Sequence, residues 1–137
     1  MGWIRAVLFK TTRFDDVSKY IDAVFGNIVG VEKAYVLSVK PVGAFSAEIV
    51  DVAEVFNPRY YGYGTYPTAP PGMKPAEEYW VVIEVASRSE ARSVEKKIQQ
   101  LPVVEVPEAV EAVLIKYPFK KGETISVSYT HLTLPTN

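Results

Sequence analysis

The feature that most constrains this chain is a change of hydrophobic period that occurs twice. Residues Trp3–Lys10 alternate as a strand does, Asp15–Phe25 repeat apolar side chains at helical spacing, and Val31–Val39 return to a strand-like pattern. The apolar positions of the helical stretch are Val17, Tyr20, Ile21, Val24 and Phe25. The first part of the chain therefore predicts a β-α-β unit.

The same order of patterns returns in the second half. Tyr79–Ala86 is a strand-like run, Ser87–Glu90 have the capping-box pattern that begins a helix, and Ala109–Tyr117 form a last strand. The helix between them ends before Pro102 and has apolar residues at Ala91, Val94, Ile98 and Leu101. Two such halves separated by an insert predict an α+β fold of the ferredoxin-like, split β-α-β type.

Residues 40–78 form the insert, which is far longer than the hairpin of an unmodified fold. Its first part, Ala47–Phe56, fits a helix by spacing and a strand by its β-branched residues, and we expect an extra edge strand beside the second strand. Asn57–Glu78 contain enough chain to return along the sheet as one long loop.

The long loop is rich in tyrosine, proline and glycine, which together exclude a regular element. Its basic and aromatic residues include Arg59, Tyr60, Tyr61, Tyr63 and Tyr66. These tyrosines favour either a lid packed over the sheet edge or a loop that grips a ligand or partner. The segment also faintly resembles an aromatic RNA-binding motif, but flanking prolines and few basic residues argue against that function.

The last eleven residues, Val127–Asn137, resemble the translation of a sequencing adapter. We therefore expect a non-native tail after a single domain of residues 1–126, and the natural sequence beyond Ser126 stays open. The alternative is a natural β-rich tail, because Val127, Tyr129, Leu132 and Leu134 suit a strand.

The composition excludes several function classes. The chain has no cysteine and its one histidine, His131, lies in the tail, so residues 1–126 cannot form a Cys/His zinc site, a thiolate nucleophile or a Ser-His-Asp triad. The formal net charge of −1 gives no electrostatic basis for nucleic-acid binding. No apolar run approaches the roughly 20 residues that span a bilayer. We expect a cytoplasmic protein with no cofactor, no nucleic-acid partner and no membrane contact.

The paired β-α-β pattern, with the apolar turn Ile28–Val31 entering the second strand, resembles the ligand-binding domains of Lrp/AsnC regulators and the ACT domains. It also resembles the wider group of dimeric α+β barrels. The resemblance covers Trp3–Val39 and Tyr79–Tyr117, and the long insert departs from it. The resemblance implies that copies of the chain associate through their sheets and that small effectors bind where the subunits meet. The matching residues include none of those families' binding residues, so no binding residue is assigned from the resemblance.

Two sets of acidic residues are candidates for chemistry. Glu84 lies in an apolar run, where a buried carboxyl group could transfer protons, but we expect it to lie on the exposed sheet face or in a dimer seam. Glu48, Asp51 and Glu54 offer oxygen ligands, but on a strand Glu48 and Glu54 face away from Asp51. We therefore expect no metal site.

These patterns predict a non-catalytic module that binds a small ligand or mediates oligomerisation. A homodimer through the sheet is expected, because the first strand has large apolar residues on both faces. The candidate binding residues are Arg59, Tyr60, Tyr61, Tyr63, Tyr66 and Glu84, and no catalytic residue is assigned. The alternatives are a cofactor-independent isomerase or oxygenase of the dimeric-barrel type, and a structural assembly protein.

Overall fold

The computed structural model describes residues 2–58, 72–100 and 110–128. Strands in these ranges are β1 (Gly2–Thr11), β2 (Lys33–Gly43), β3 (Ser46–Phe56), β4 (Glu78–Glu84), β5 (Val110–Tyr117) and β6 (Thr124–Ser128); the helices are α1 (Phe14–Asn27) and α2 (Arg88–Gln99). Each strand and helix predicted from the sequence has a counterpart here, and β6 is an additional strand. The predicted helix start is confirmed, because the Ser87 hydroxyl accepts a hydrogen bond from the N–H of Glu90 at 3.1 Å.

The strands form one closed antiparallel barrel in the order β1-β4-β2-β3-β6-β5, with β5 paired back to β1. The predicted ferredoxin-like α+β fold is therefore wrong. The chain is mostly β, and its described elements follow the order β-α-β-β-β-α-β-β. The physical reason is that β3 and β6 pair with each other and remove the sheet edges. β3 does lie beside β2, but it is not an edge strand.

Alternation along the strands separates two apolar cores. Inward-facing Leu8, Leu37 and Trp80 belong to the core inside the barrel, whereas Val7 and Phe9 pack in the core beneath the helices. Val7 and Phe9 have no exposed surface, so this part of the apolar face of β1 that motivated a homodimer is covered by the chain itself, whereas Trp3 on the same face is 51% exposed. The homodimer stays a prediction, which sedimentation would check.

A β-bulge at Val50 changes which side chains of β3 point into the barrel, because the alternation of inward and outward residues shifts by one position after the bulge. Asp51 is opposite Ser38, but Ile49 is opposite Val39, so Val50 has no partner on β2. Glu54 consequently faces the barrel interior opposite Tyr35, while Asp51 faces outward. The expectation that Glu48 and Glu54 share a face is wrong, because Glu48 lies before the bulge and shares the face of Asp51.

β6 closes the barrel through short pairings with β3 at Ser46–Glu48 and with β5 at Leu114 and Ile115. In the preceding turn Gly122 has a φ of 84°, which favours glycine, and its N–H donates to the carbonyl oxygen of Ile49 at 2.8 Å. Val127 is 5% exposed and packs in the interior core. The first two residues of the expected tail thus belong to β6, and residues 129–137 lie outside the described residues.

Candidate functional site

Polar and aromatic side chains meet at the end of the barrel where β2 begins and β3 ends. We name this group the Tyr35 rim; it consists of Lys33, Tyr35, Glu54, Phe56, Tyr117 and Phe119. Lys33 and Tyr35 share a face of β2 because strand side chains alternate, and their partners on β3 are Phe56 and Glu54. The bulge at Val50 is what places Glu54 on this face.

Lys33 and Glu54 form an ion pair at the Tyr35 rim. Nζ of Lys33 lies 2.9 Å from Oε1 of Glu54 and 5.0 Å from the ring centroid of Tyr35. The hydrogen bond with Glu54, and next the one with Tyr35, hold the pKa of Lys33 well above its ordinary value. The two side chains are 34% and 45% exposed, so the pair adds little stability, but it fixes a positive charge beside Tyr35.

Three aromatic rings pack edge to face beside this ion pair. The ring centroid of Tyr35 lies 5.1 Å from that of Phe119 and 6.0 Å from that of Tyr117. The Tyr117 and Phe119 centroids are 5.4 Å apart with an interplanar angle of 85°, an arrangement that aromatic pairs prefer. Tyr35 and Phe119 are buried, whereas Tyr117, at the end of β5, is 36% exposed. The rings therefore cover this end of the interior core and leave part of Tyr117 accessible.

The environment keeps the hydroxyl of Tyr35 protonated. Burial raises the pKa of Tyr35; the hydrogen bond with Lys33 lowers it and the one with Tyr117 raises it, and the net direction is upward. A tyrosine ionises near pH 10 even in water, so Tyr35 is neutral at physiological pH. Its hydroxyl can hold another group by a hydrogen bond, but it is not poised to act as a base.

Of the binding residues predicted from the sequence, Glu84 is brought near the Tyr35 rim. It ends β4 on the same face as Val82, which is directly opposite Tyr35. Glu84 is exposed, which agrees with the expected position and excludes the buried one considered beside it. The other predicted residues, Arg59, Tyr60, Tyr61, Tyr63 and Tyr66, lie outside the described residues.

Sequence reasoning missed the residues at the centre of the Tyr35 rim. Lys33 and Tyr35 carried a usable signal, since residues two apart in a strand-like run share a face. Glu54 was considered only as a metal ligand, and its inward direction depends on the bulge. Nothing in the sequence indicated that Tyr117 would contact Tyr35, because this contact joins β5 to β2, and these two strands are not neighbours in the barrel.

The other end of the barrel has a lysine over an aromatic ring as well. Nζ of Lys10 lies 4.7 Å from the ring centroid of Trp80, and Nε1 of Trp80 donates to Oε1 of Glu78 at 2.8 Å. Trp80 is only 2% exposed, so its ring is covered by the protein, and its Nε1–H group is already hydrogen-bonded to Glu78. The Tyr35 rim, with its partly exposed Tyr117, is therefore the better candidate for a binding site.

Comparison with protein-family models, curated proteins and solved structures finds no match to this chain. Among the described residues, no group of three or more His, Cys, Asp or Glu side chains could hold a metal ion. Within the same ranges, no helix combines the length and the apolar character that crossing a membrane requires. A function for this protein therefore has to be inferred from the side chains of the Tyr35 rim.

Proposed function

We propose that this protein is a non-catalytic module that binds a small ligand at the Tyr35 rim. The observation that most supports this is the position of the Lys33–Glu54 ion pair beside the ring of Tyr35, which in turn packs against the partly exposed ring of Tyr117. A few convergent polar groups among aromatic side chains are typical of small-molecule sites.

Two side chains of the Tyr35 rim offer apolar contact area to a ligand. Phe56 and Tyr117 are each 36% exposed. Aromatic rings provide large contact areas and lose little conformational entropy on binding. Phe56 is the cross-strand partner of Lys33, so a ligand that packs on Phe56 lies within reach of the ammonium group. Both rings end strands of the barrel, which gives them a fixed support.

The protonation states favour binding over catalysis. A general base works best when its pKa lies near the working pH. The pKa values of Lys33 and Tyr35 are both raised, so both groups keep their protons at neutral pH. The carboxylate of Glu54 accepts a hydrogen bond from Nζ of Lys33. The Tyr35 rim therefore offers hydrogen bonds and a charge rather than a free base.

The test is a fragment-binding experiment by ligand-observed NMR with benzamide, benzoate and benzylamine as probes. Lys33→Met removes the charge of the Tyr35 rim, and Lys10→Met is its matched control, because each lysine lies over an aromatic ring at one end of the barrel. We expect at least one probe to bind the wild type and Lys10→Met, and to bind Lys33→Met several-fold more weakly. Absence of binding by every probe, or equal binding by both variants, would contradict the proposal.

A further inference from the structure

The segment that leads into β4 crosses the outside of the barrel. We name this segment, Gly72–Glu77, the strap. The N–H of Lys74 donates to Oδ2 of Asp51 on β3 at 3.0 Å, and the N–H of Ala76 donates to the hydroxyl oxygen of Tyr79 on β4 at 3.2 Å. In the barrel, β2 lies between β3 and β4. The strap therefore passes over β2 on its way from one hydrogen bond to the other.

Ser38 is the residue of β2 that lies beneath the strap. It is the cross-strand partner of Asp51 on one side and of Tyr79 on the other, so the three side chains share the outer face of the barrel. Neighbouring strands are about 4.8 Å apart, which places the backbones of Asp51 and Tyr79 about 10 Å from each other. The two residues of chain between the bonded N–H groups span at most about 7 Å. The strap therefore takes a direct path over Ser38.

The strap is held less firmly than the strands beneath it. Four of its residues are exposed: Gly72, Lys74, Pro75 and Glu77. In the described part of the chain it is anchored by the two hydrogen bonds and by Met73, which packs partly buried against the core beneath the helices. The next element, β4, is paired with β1 on one side and with β2 on the other. Segments with few buried contacts open locally while the rest of the fold stays intact.

The closed strap leaves the hydroxyl of Ser38 without a hydrogen bond. Ser38 has no exposed surface, and within the described ranges its Oγ has no hydrogen-bond partner. A buried hydroxyl without a partner costs free energy, and contact with water removes this cost. Ser38 therefore favours an open strap, whereas the bonds to Asp51 and Tyr79 favour a closed one.

We propose that the strap opens and closes on an intact barrel, that the carboxylate of Asp51 holds it closed, and that opening uncovers Ser38. Asp51 is the stronger anchor, because a hydrogen bond to a charged acceptor is stronger than one to a neutral hydroxyl. Its carboxylate keeps an ion-pair partner when the strap leaves, since Nζ of Lys121 lies 3.1 Å from Oδ1. The strap is separate from the Tyr35 rim, because Ser38 faces outward and Tyr35 faces the interior core.

Thiol labelling of Ser38→Cys in the full chain measures the opening, because the chain has no other cysteine. Val36→Cys is the matched control: Val36 is also fully buried and lies two residues away on the same face of β2, in the core beneath the helices. Without denaturant, Ser38→Cys should react more than roughly tenfold faster than Val36→Cys, which has to wait for global unfolding. Low concentrations of guanidinium should accelerate the control steeply and Ser38→Cys only slightly. Equal rates with equal denaturant dependence would show that the strap does not open by itself.

A second substitution tests what holds the strap closed. Asp51→Asn in the Ser38→Cys background should accelerate labelling roughly tenfold to hundredfold, as the loss of a hydrogen bond to a charged group does. Glu48→Gln, which neutralises an exposed carboxylate on the same face of β3, should leave the rate unchanged. Unchanged labelling in Asp51→Asn would show that this carboxylate does not hold the strap.

Ser38→Ala alone should have the opposite effect, since it removes the unpaired hydroxyl. Amide hydrogen exchange of Lys74 and Ala76, whose N–H groups hold the strap closed, is expected to slow severalfold in this variant relative to the wild type. Unchanged or faster exchange would overturn the role of Ser38 in the opening.

Discussion

Oδ1 of Asp51 lies 3.1 Å from Nζ of Lys121, and this contact joins the bulge of β3 to the turn that precedes β6. Oδ2 accepts a hydrogen bond from the N–H of Lys74 at 3.0 Å, and Oδ1 accepts one from the N–H of Val52 at 2.9 Å. One carboxylate thus connects the bulge that turns Glu54 inward, the hairpin that closes the barrel, and the chain that leads into β4.

Replacement of Asp51 by asparagine tests this junction. We expect Asp51→Asn to lower the free energy of unfolding by about 2 kcal/mol, because hydrogen bonds to a charged and largely buried acceptor are weakened. Chemical denaturation measures the change. Glu48→Gln is the matched control, since Glu48 is an exposed carboxylate on the same face of β3, and a change within about 0.5 kcal/mol is expected for it. Equal effects of the two substitutions would show that the Asp51 contacts do not hold the junction.

The same carboxylate predicts a dependence of stability on acid. The backbone hydrogen bond from Lys74, with further contributions from Lys121 and Val52, holds the pKa of Asp51 below its ordinary value. A carboxyl group with a lower pKa in the folded state stabilises the fold above its unfolded pKa, and this contribution is lost as the pH falls below about 4. The free energy of unfolding of the wild type should therefore fall more steeply below about pH 4 than that of Asp51→Asn. Parallel curves would refute this account of Asp51.

Tyr35 predicts a complementary effect in alkali. Its pKa is raised, mainly by burial, so the protonated form is favoured in the folded state. The associated stability is present below the unfolded pKa of about 10 and is lost as the pH rises through the folded pKa. In an ultraviolet titration, the phenolate absorbance that distinguishes the wild type from Tyr35→Phe should appear above the range of ordinary tyrosines. Its completion by about pH 10 would contradict a buried, protonated Tyr35.

Two truncations test how the barrel is closed. A chain that ends after Ser128 retains β6, so its melting temperature should equal that of the full chain. A chain that ends after Ser126 loses Val127, whose side chain is 5% exposed and whose N–H donates to the carbonyl oxygen of Phe45 at 2.8 Å. Burial of a valine contributes about 1.5 to 3 kcal/mol, so this chain should melt several degrees lower. Identical melting of both truncations would mean that Val127 does not close the barrel.

The sequence was sufficient to predict the local elements but not their assembly. Hydrophobic period is a short-range property, and it correctly predicted the strand at Trp3–Lys10 and the helix at Asp15–Phe25. The barrel depends on β6, a strand that crosses the boundary expected at Ser126. Because Ile125 and Val127 were assigned to different segments, their alternation as one strand was not recognised, and the sheet was predicted to stay open.

The candidate site was harder to predict because it depends on tertiary contacts. Lys33 and Tyr35 could have been paired from strand alternation alone. The direction of Glu54 follows from the bulge at Val50, a β-branched residue that carries none of the signals of an irregular strand. Tyr117 reaches Tyr35 only in the folded barrel. The ligand-binding role of the tyrosine-rich loop at residues 60–66 stays a prediction.

Chemical-shift mapping of the backbone amide signals during titrations with benzamide, benzoate and benzylamine tests the binding site most directly. We expect the largest changes at Lys33, Tyr35, Glu54 and Tyr117, which the strand pairing and the aromatic contacts bring to one end of the barrel. The signals of Lys10 and Trp80, at the other end, should stay in place. Changes centred on Lys10 and Trp80, or the absence of any change at high concentrations of all three probes, would contradict a ligand site at the Tyr35 rim.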